Sequence, residues 1–243
     1  MLILEPYIFK KFPEIISGVS TKIGASRTSP YFFNMSLSVG DEEKVVSENR
    51  KLFFEDLGLK NENAAYQKQV HGDNIYFVTK GGLAGESDAL ITDKPGIGLA
   101  ISIADCVPIL LYEPNKKIVA GVHSGWRGTE KKILFKTLNR LKELGCLIEN
   151  IYAYIGPSIS KNIYEVGKEV ADRFEEKYLT QKENKFLLDV ASVNFDMLLN
   201  SDVNKNNIQV SGLCTFGMKD ILHSYRRDGE KSGRSFAVIA MRN

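Results

Sequence analysis

Cysteine, histidine and tryptophan are scarce in this sequence: three Cys, three His and one Trp among 243 residues. An odd, low cysteine count argues against a disulfide framework and for a reducing compartment. Three His are too few for a site built from many imidazoles, such as a multicopper oxidase centre. Long apolar runs are missing as well. No stretch approaches the ~18 residues of a membrane helix, and Met1-Leu2-Ile3-Leu4-Glu5-Pro6 has no basic segment leading into a sustained apolar run. A secretory signal is therefore not expected, and a cytoplasmic location is. Nor is there an excess of charge: 32 Lys+Arg against 30 Asp+Glu leave a net +2. With no dense basic cluster, nucleic acid is not an expected partner. Repeats, low-complexity segments and linkers are absent, so one domain spanning residues 1–243 is expected.

What is present is an alternation of apolar runs and amphipathic stretches. Strands are expected over 14–20, 88–92, 98–104, 107–112, 118–122, 150–155, 208–213 and 236–241, with a short one on the alternation of Met35, Leu37 and Val39. Residues 67–78 read as a strand or hairpin edge with His71-Gly72 in its middle. The segments 21–31, 81–87 and 224–229 read as loops. Helices are expected over 42–57, closed by Gly58, over 129–144, closed by Gly145, and over 166–178. A fourth is capped by Asp189 and carries Val193, Phe195, Met197 and Leu198. Continuous apolar strands signify a buried sheet, and the mixture signifies an α/β fold with a mixed sheet.

The chemistry concentrates between Ala104 and Thr129, with Gln69-Val70-His71-Gly72 upstream. Cys and His are the donors zinc favours, and a catalytic site supplies three and leaves one position open. His71, Cys106 and His123 form such a set, and Asp105, next to Cys106, is a candidate to orient one imidazole from behind. The plainer alternative is a buried thiol and two ordinary hydrogen-bonded imidazoles, because the spacing alone is no short metal signature. Cys146 and Cys214 read as structural, and His223 as a surface or loop residue. Gly125-Trp126-Arg127-Gly128-Thr129 before a helix suits an anion; equally, Thr129 is an N-cap and Trp126 core. Arg226-Arg227 carries the same two readings, phosphate contact or solvated charge.

Five segments taken together resemble the laccase-domain family, whose members are also described as polyphenol oxidases, peptidoglycan editing factors and purine nucleoside phosphorylases. They are Gln69-Val70-His71-Gly72, Ala104-Asp105-Cys106-Val107-Pro108, His123-Ser124-Gly125-Trp126-Arg127-Gly128-Thr129, Ile155-Gly156-Pro157-Ser158-Ile159, and Ser224-Tyr225-Arg226-Arg227-Asp228-Gly229 with Gly233-Arg234. The resemblance implies a single four-layer α/β/β/α domain around mixed sheets and a metal triad on His71, Cys106 and His123. It also implies phosphorolysis of adenosine, inosine, guanosine and methylthioadenosine, with adenosine deamination beside it; copper-dependent phenol oxidation is the older assignment. On ligand count zinc is preferred to copper. Arg127 is nominated for phosphate, with Arg50, Arg226 and Asn34 in the same substrate-binding group. Two departures from the family pattern stand out. Lys22 replaces an Arg after Ser20-Thr21 and lacks the planar fork, and His223 stands where an aromatic is usual. Two other readings remain open. One is a metal-free cysteine hydrolase acting on peptidoglycan precursors, with His123 or His71 as base. The other is a structural zinc with a fourth ligand from His223 or Cys214. Oligomeric state and preferred nucleoside are not legible.

Overall fold

The apolar runs become the centres of two six-stranded sheets lying face to face. The computed structural model describes residues 1–243. In chain order the elements are β1 (Ile3–Leu4), β2 (Ile15–Ser20), α1 (Glu43–Asp56), β3 (Ala64–Lys68), β4 (Ile75–Phe77), β5 (Gly82–Glu86), β6 (Ala89–Thr92), β7 (Gly98–Ile103), β8 (Val107–Glu113), β9 (Ile118–Ser124), α2 (Trp126–Glu130), α3 (Ile133–Glu143), β10 (Tyr152–Ile155), β11 (Glu165–Val166), α4 (Lys168–Ala171), β12 (Leu179–Lys182), β13 (Lys185–Leu188), α5 (Val190–Leu199), β14 (Ile208–Val210), α6 (Tyr225–Asp228) and β15 (Ser235–Met241). The first sheet runs β1-β2-β15-β7-β3-β5, the second β14-β10-β8-β9-β6-β4, and β11-β13-β12 form a small third one. Both large sheets mix directions: β3 runs parallel to β5 and β7, and β4 to β6, while β8 and β9 are antiparallel.

Strand periodicity explains the layering. Along β8 the even-numbered Leu110 and Tyr112 point to the first sheet, where they meet Leu99, Ile101, Ala237 and Ile239. The odd-numbered Ile109 and Leu111 point the other way, onto Leu134, Leu138 and Leu141 of α3 and Leu198 of α5. On the far side of the first sheet, Phe53 and Phe54 of α1 pack against Phe236, Val238 and Ala240. The order is therefore α/β/β/α, as the resemblance implied. No helix is long and apolar enough to cross a membrane.

Several expected elements are corrected. Met35, Leu37 and Val39 do not form a strand: Asn34 bonds both the N–H and the C=O of Ser36, and the Ser36 hydroxyl accepts the Ser38 N–H, which curls the chain. Residues 81–87 are not a loop but contain β5, an edge strand that keeps its pairing despite positive φ at Gly82 and Gly85. The 67–78 segment is two strands in different sheets, with His71 on the crossing between them. The helix expected over 129–144 is broken by a left-handed Lys132 into α2 and α3. Residues 166–178 hold only the short α4 and a 3-10 turn, because Val166 pairs with Phe186 in the third sheet. The 208–213 strand stops at Val210, and 225–228 is the short helix α6.

Candidate metal centre

The chain crosses from the first sheet to the second three times at one end of the molecule, from β3 to β4, β5 to β6 and β7 to β8, and two of these crossings carry a candidate ligand. The first crossing joins β3 to β4. Its entry is fixed by Gln69, whose amide donates to the Ser102 carbonyl and accepts the Ser102 N–H at 2.9 and 2.8 Å. His71 follows with φ +56, a conformation that needs outside support in a non-glycine residue. The support is Asp88, fully buried before β6. Its carboxylate accepts the N–H groups of Val70, His71 and Gly72 at 3.2, 3.1 and 2.6 Å. An ion pair between Asp73 and Lys136 ties the loop to α3.

The other ligand-bearing crossing joins β7 to β8 through Ala104-Asp105-Cys106. Asp105 has φ +92 and is 9% exposed. The structure corrects its expected role: it touches neither imidazole. Its carboxylate accepts the Thr215 hydroxyl at 2.6 Å and the Arg226 N–H at 2.7 Å, and its carbonyl accepts the Ile159 N–H. Asp105 thus gathers three distant segments round the Cys106 corner. The carboxylate that orients an imidazole is Asp88, whose Oδ1 lies 2.8 Å from His123 Nδ1 and leaves Nε2 free. Sequence reasoning missed it. The available signal was a lone acid at the mouth of β6, whose four residues are all buried.

His123, on β9 and cross-strand from Pro108, completes the set. The ligand atoms of His71, Cys106 and His123 all lie within 4.8 Å of one another, with Sγ of Cys106 3.9 Å from Nε2 of His71. The imidazole planes meet at 80° with centroids 4.9 Å apart. Three donors round one zinc at bond lengths of about 2.0–2.3 Å would be about 3.5 Å apart, so small side-chain shifts close the site. Room for an ion is built in. A Cβ on Gly125 would sit 2.8 Å from Cys106 Sγ and 3.2 Å from His71 Cδ2, so only glycine leaves this cradle empty. The residues fit a three-coordinate zinc site with an open side: His123 is buried, Cys106 half-buried and His71 exposed. Neither His223 nor Cys214 joins the group.

Electrostatics suits the same use. Burial alone would raise the Cys106 pKa, but the His123 and His71 imidazoles outweigh it and bring the thiol down to about 6. Burial would lower the His123 pKa; the Cys106 thiolate and Asp88 outweigh it and raise it to about 9. Without metal the neutral-pH state is thus a thiolate beside an imidazolium. Asp88 is lowered below the usual carboxylate range, its burial outweighed by His123 and the Gly72 and Val70 N–H groups.

The nominated substrate residues divide. Arg127 is exposed just past Gly125, its guanidinium over the Trp126 ring at 4.3 Å. Arg226 is exposed over Tyr164 at 5.0 Å and donates to the Glu165 carbonyl. Arg50 donates to the Met35 carbonyl at 2.7 Å and lies against Tyr66 and Phe236, and Asn34 is fully buried with its amide spent on Ser36, Asp41 and Arg234. These two build the wall rather than reach into it. Arg227 is consumed by the carbonyls of Thr215, Phe216 and Leu222 and by Asp228. Thr129 is not an N-cap: its hydroxyl meets those of Ser124 and the amide of Asn194 inside the protein, while Gly125 caps α2. Trp126 is half-buried against the helix-side core. Beside Cys106 a cavity of about 30 Å³ is lined by Trp126, Ile159, Tyr164 and Val190, enough for one or two waters but not for a purine.

The remaining Cys and His lie apart. Cys146 is 3% exposed in the core, its thiol pushed up to about 11 by burial. Cys214 Sγ accepts the Ser160 N–H at 3.4 Å. His223 is no surface residue: it is 2% exposed, and a Cβ on Gly233 would meet its ring at 2.5 Å. Lys22 donates to the Lys219 carbonyl and lies over Phe32, so its charge is used within the fold.

A protein of Deinococcus radiodurans named purine nucleoside phosphorylase is 34% identical over 226 residues, covering 91% of this chain and 87% of that one. The Bacillus subtilis protein named purine nucleoside phosphorylase YlmD is 31% identical over 248 residues, covering 94% and 89%. The crystal structure of YlmD from Geobacillus stearothermophilus superposes with a TM-score of 0.91 at 31% identity, covering 96% and 94% of the two chains. The family described as multi-copper polyphenol oxidoreductase laccase matches residues 16–242, and the chain belongs to that family.

Proposed function

We propose that this protein is a zinc-dependent purine nucleoside phosphorylase that splits adenosine, inosine, guanosine and methylthioadenosine with phosphate, deaminates adenosine as well, and works in the cytoplasm. The observation that carries the reading is the meeting of His71, Cys106 and His123 at the Gly125 cradle, with one side open. The relatives' shared name supplies the substrate class. Bound there, zinc supplies Lewis acidity toward an oxygen of water or substrate. The protein does the rest. Asp88 holds His123 by Nδ1, which leaves Nε2 free to bind the metal. Arg127 and Arg226, exposed beside the centre, supply positive charge for the phosphate that displaces the base at the ribose C1′ carbon. Arg50 and Asn34 act from behind by fixing the loop that carries Met35.

Copper is the other occupant that a His₂Cys set accepts. With His223 buried against Gly233, the chain has no imidazole for a second copper. A metal-free cysteine hydrolase gains support from the thiolate–imidazolium pair, but it needs only one of the two imidazoles as base and gives no use to the cradle at Gly125.

The test is metal analysis of the purified protein followed by incubation with adenosine, with and without phosphate. Stoichiometric zinc, with adenine and ribose 1-phosphate formed only when phosphate is present, is expected, along with inosine independent of phosphate. Full activity in the metal-free protein, or in Cys106→Ala, would overturn the proposal.

A further inference from the structure

Three guanidinium–aromatic pairs stand round the Cys106 corner: Arg127 over Trp126, Arg226 over Tyr164, and Arg234 over Tyr225 at 5.3 Å. Two of the rings are anchored in the helix-side core. Tyr225 is not: it belongs to no core cluster and is 52% exposed. Its backbone is nevertheless firmly held. Ser224 caps α6 by accepting the Arg227 N–H, Arg226 donates its N–H to Asp105, and the Arg227 guanidinium binds three carbonyls. The partner guanidinium is fixed as well. Arg234 donates to the Ser232 and Gly233 carbonyls, and the pairing of Ser235 with Ile103 sets Arg234 across from Ala104, two residues before Cys106.

A flat ring with a cation over it and half of its surface exposed, at the rim of the metal corner, offers a stacking surface. The cavity behind Cys106, about 30 Å³, is too small for a purine, whereas Tyr225 presents an exposed ring next to Arg226, whose N–H is bound by Asp105 at the same corner. We propose that the exposed ring of Tyr225, held by Arg234 and by the Asp105 clasp on Arg226, is the platform on which the planar heteroaromatic base of the substrate stacks. The proposal rests on the nucleoside reading given above.

Its test compares the zinc-loaded full chain with Tyr225→Phe and Tyr225→Ala in phosphorolysis of adenosine, alongside calorimetric binding of free adenine. Loss of a base-stacking ring is worth about 5- to 150-fold in binding. Tyr225→Ala should raise KM for adenosine by that factor and weaken adenine binding equally. The KM for phosphate, the zinc content and the thermal midpoint should hold. Tyr225→Phe should match the wild type, because stacking needs the ring and not the hydroxyl. An unchanged adenosine KM in Tyr225→Ala, or equal impairment of the Phe variant, overturns the platform while phosphorolysis by the wild type upholds the function. Adenine binding that depends on Tyr225 in a chain without phosphorolysis upholds the platform and sinks the function. Absence of both removes both.

Discussion

Substituting Ala for Gly125 adds one carbon against two of the three donor side chains, Cys106 and His71. The backbone there has φ −73 and ψ 174, which alanine adopts freely, so no conformational strain follows. The cost is local crowding. The new Cβ would stand 2.8 Å from Cys106 Sγ and 3.2 Å from His71 Cδ2, against ordinary contacts of about 3.5–4.0 Å. Relief requires the thiolate to retreat by roughly 0.7–1.2 Å, whereas a metal site tolerates only about 0.2 Å in its bond lengths. The metal-free fold should lose about 1–3 kcal/mol, the usual range for overpacking, and unfold cooperatively a few degrees lower. Zinc affinity, measured by competition with a chromophoric chelator, should fall by at least ~100-fold, beyond what an outer-sphere change alone costs. Gly125→Ala protein that binds zinc as tightly as the wild type would show that the three donors do not share an ion at this cradle.

Asp88→Asn should reduce zinc affinity by about 10- to 100-fold in the same competition, because the amide no longer fixes the His123 tautomer. Asp105→Asn, which touches neither imidazole, should leave the affinity within a few-fold; equal losses in the two variants would refute the assignment. In metal-free protein, the ultraviolet absorbance of the Cys106 thiolate should persist down to about pH 6 and should be lost early in His123→Ala. The depressed thiol contributes stability that is present above the ordinary thiol pKa and lost as pH falls through about 6. The raised imidazole contributes stability that is present below 6.5 and lost as pH rises through about 9. The two slopes oppose one another between pH 6.5 and 9, so the metal-free midpoint should be nearly flat there; a steep rise or fall that vanishes in Cys106→Ala would contradict the pairing.

The layers were legible in the sequence wherever apolar residues persisted. β7, β8 and β9 follow directly from runs that leave no polar face, and α5 follows from Asp189, whose carboxylate accepts the Ser192 N–H. The errors fall where a side chain or partner segment overrides local pattern. The alternation at Met35, Leu37 and Val39 has no neighbouring strand to pair with, and the Asn34 and Ser36 side chains take the backbone bonds instead. β5 looks like a loop because glycine carries no periodicity, yet β3 supplies its ladder. The ligands themselves were legible from type and context, because Cys and His are so few. Their support was not. Adjacency to Cys106 favoured Asp105, but a left-handed turn aims that carboxylate at Thr215 and Arg226. Asp88 comes to the imidazole through the antiparallel register of β6 against β9, which a linear reading does not contain.

Two of the crossings between the large sheets, β3 to β4 and β7 to β8, carry a donor, and His123 sits on a strand of the second sheet beside them. An ion held there would act as a rivet through the seam between the sheets, reaching with two bonds the crossings on which they hinge. Its binding energy would then be shared with the apolar interlayer of Leu99, Leu110, Val119 and Ile239. Thermodynamic reciprocity makes the traffic two-way: a cavity cut into that interlayer, far from any ligand, should make the protein leak metal, and stripping the metal should loosen the interlayer first at this end.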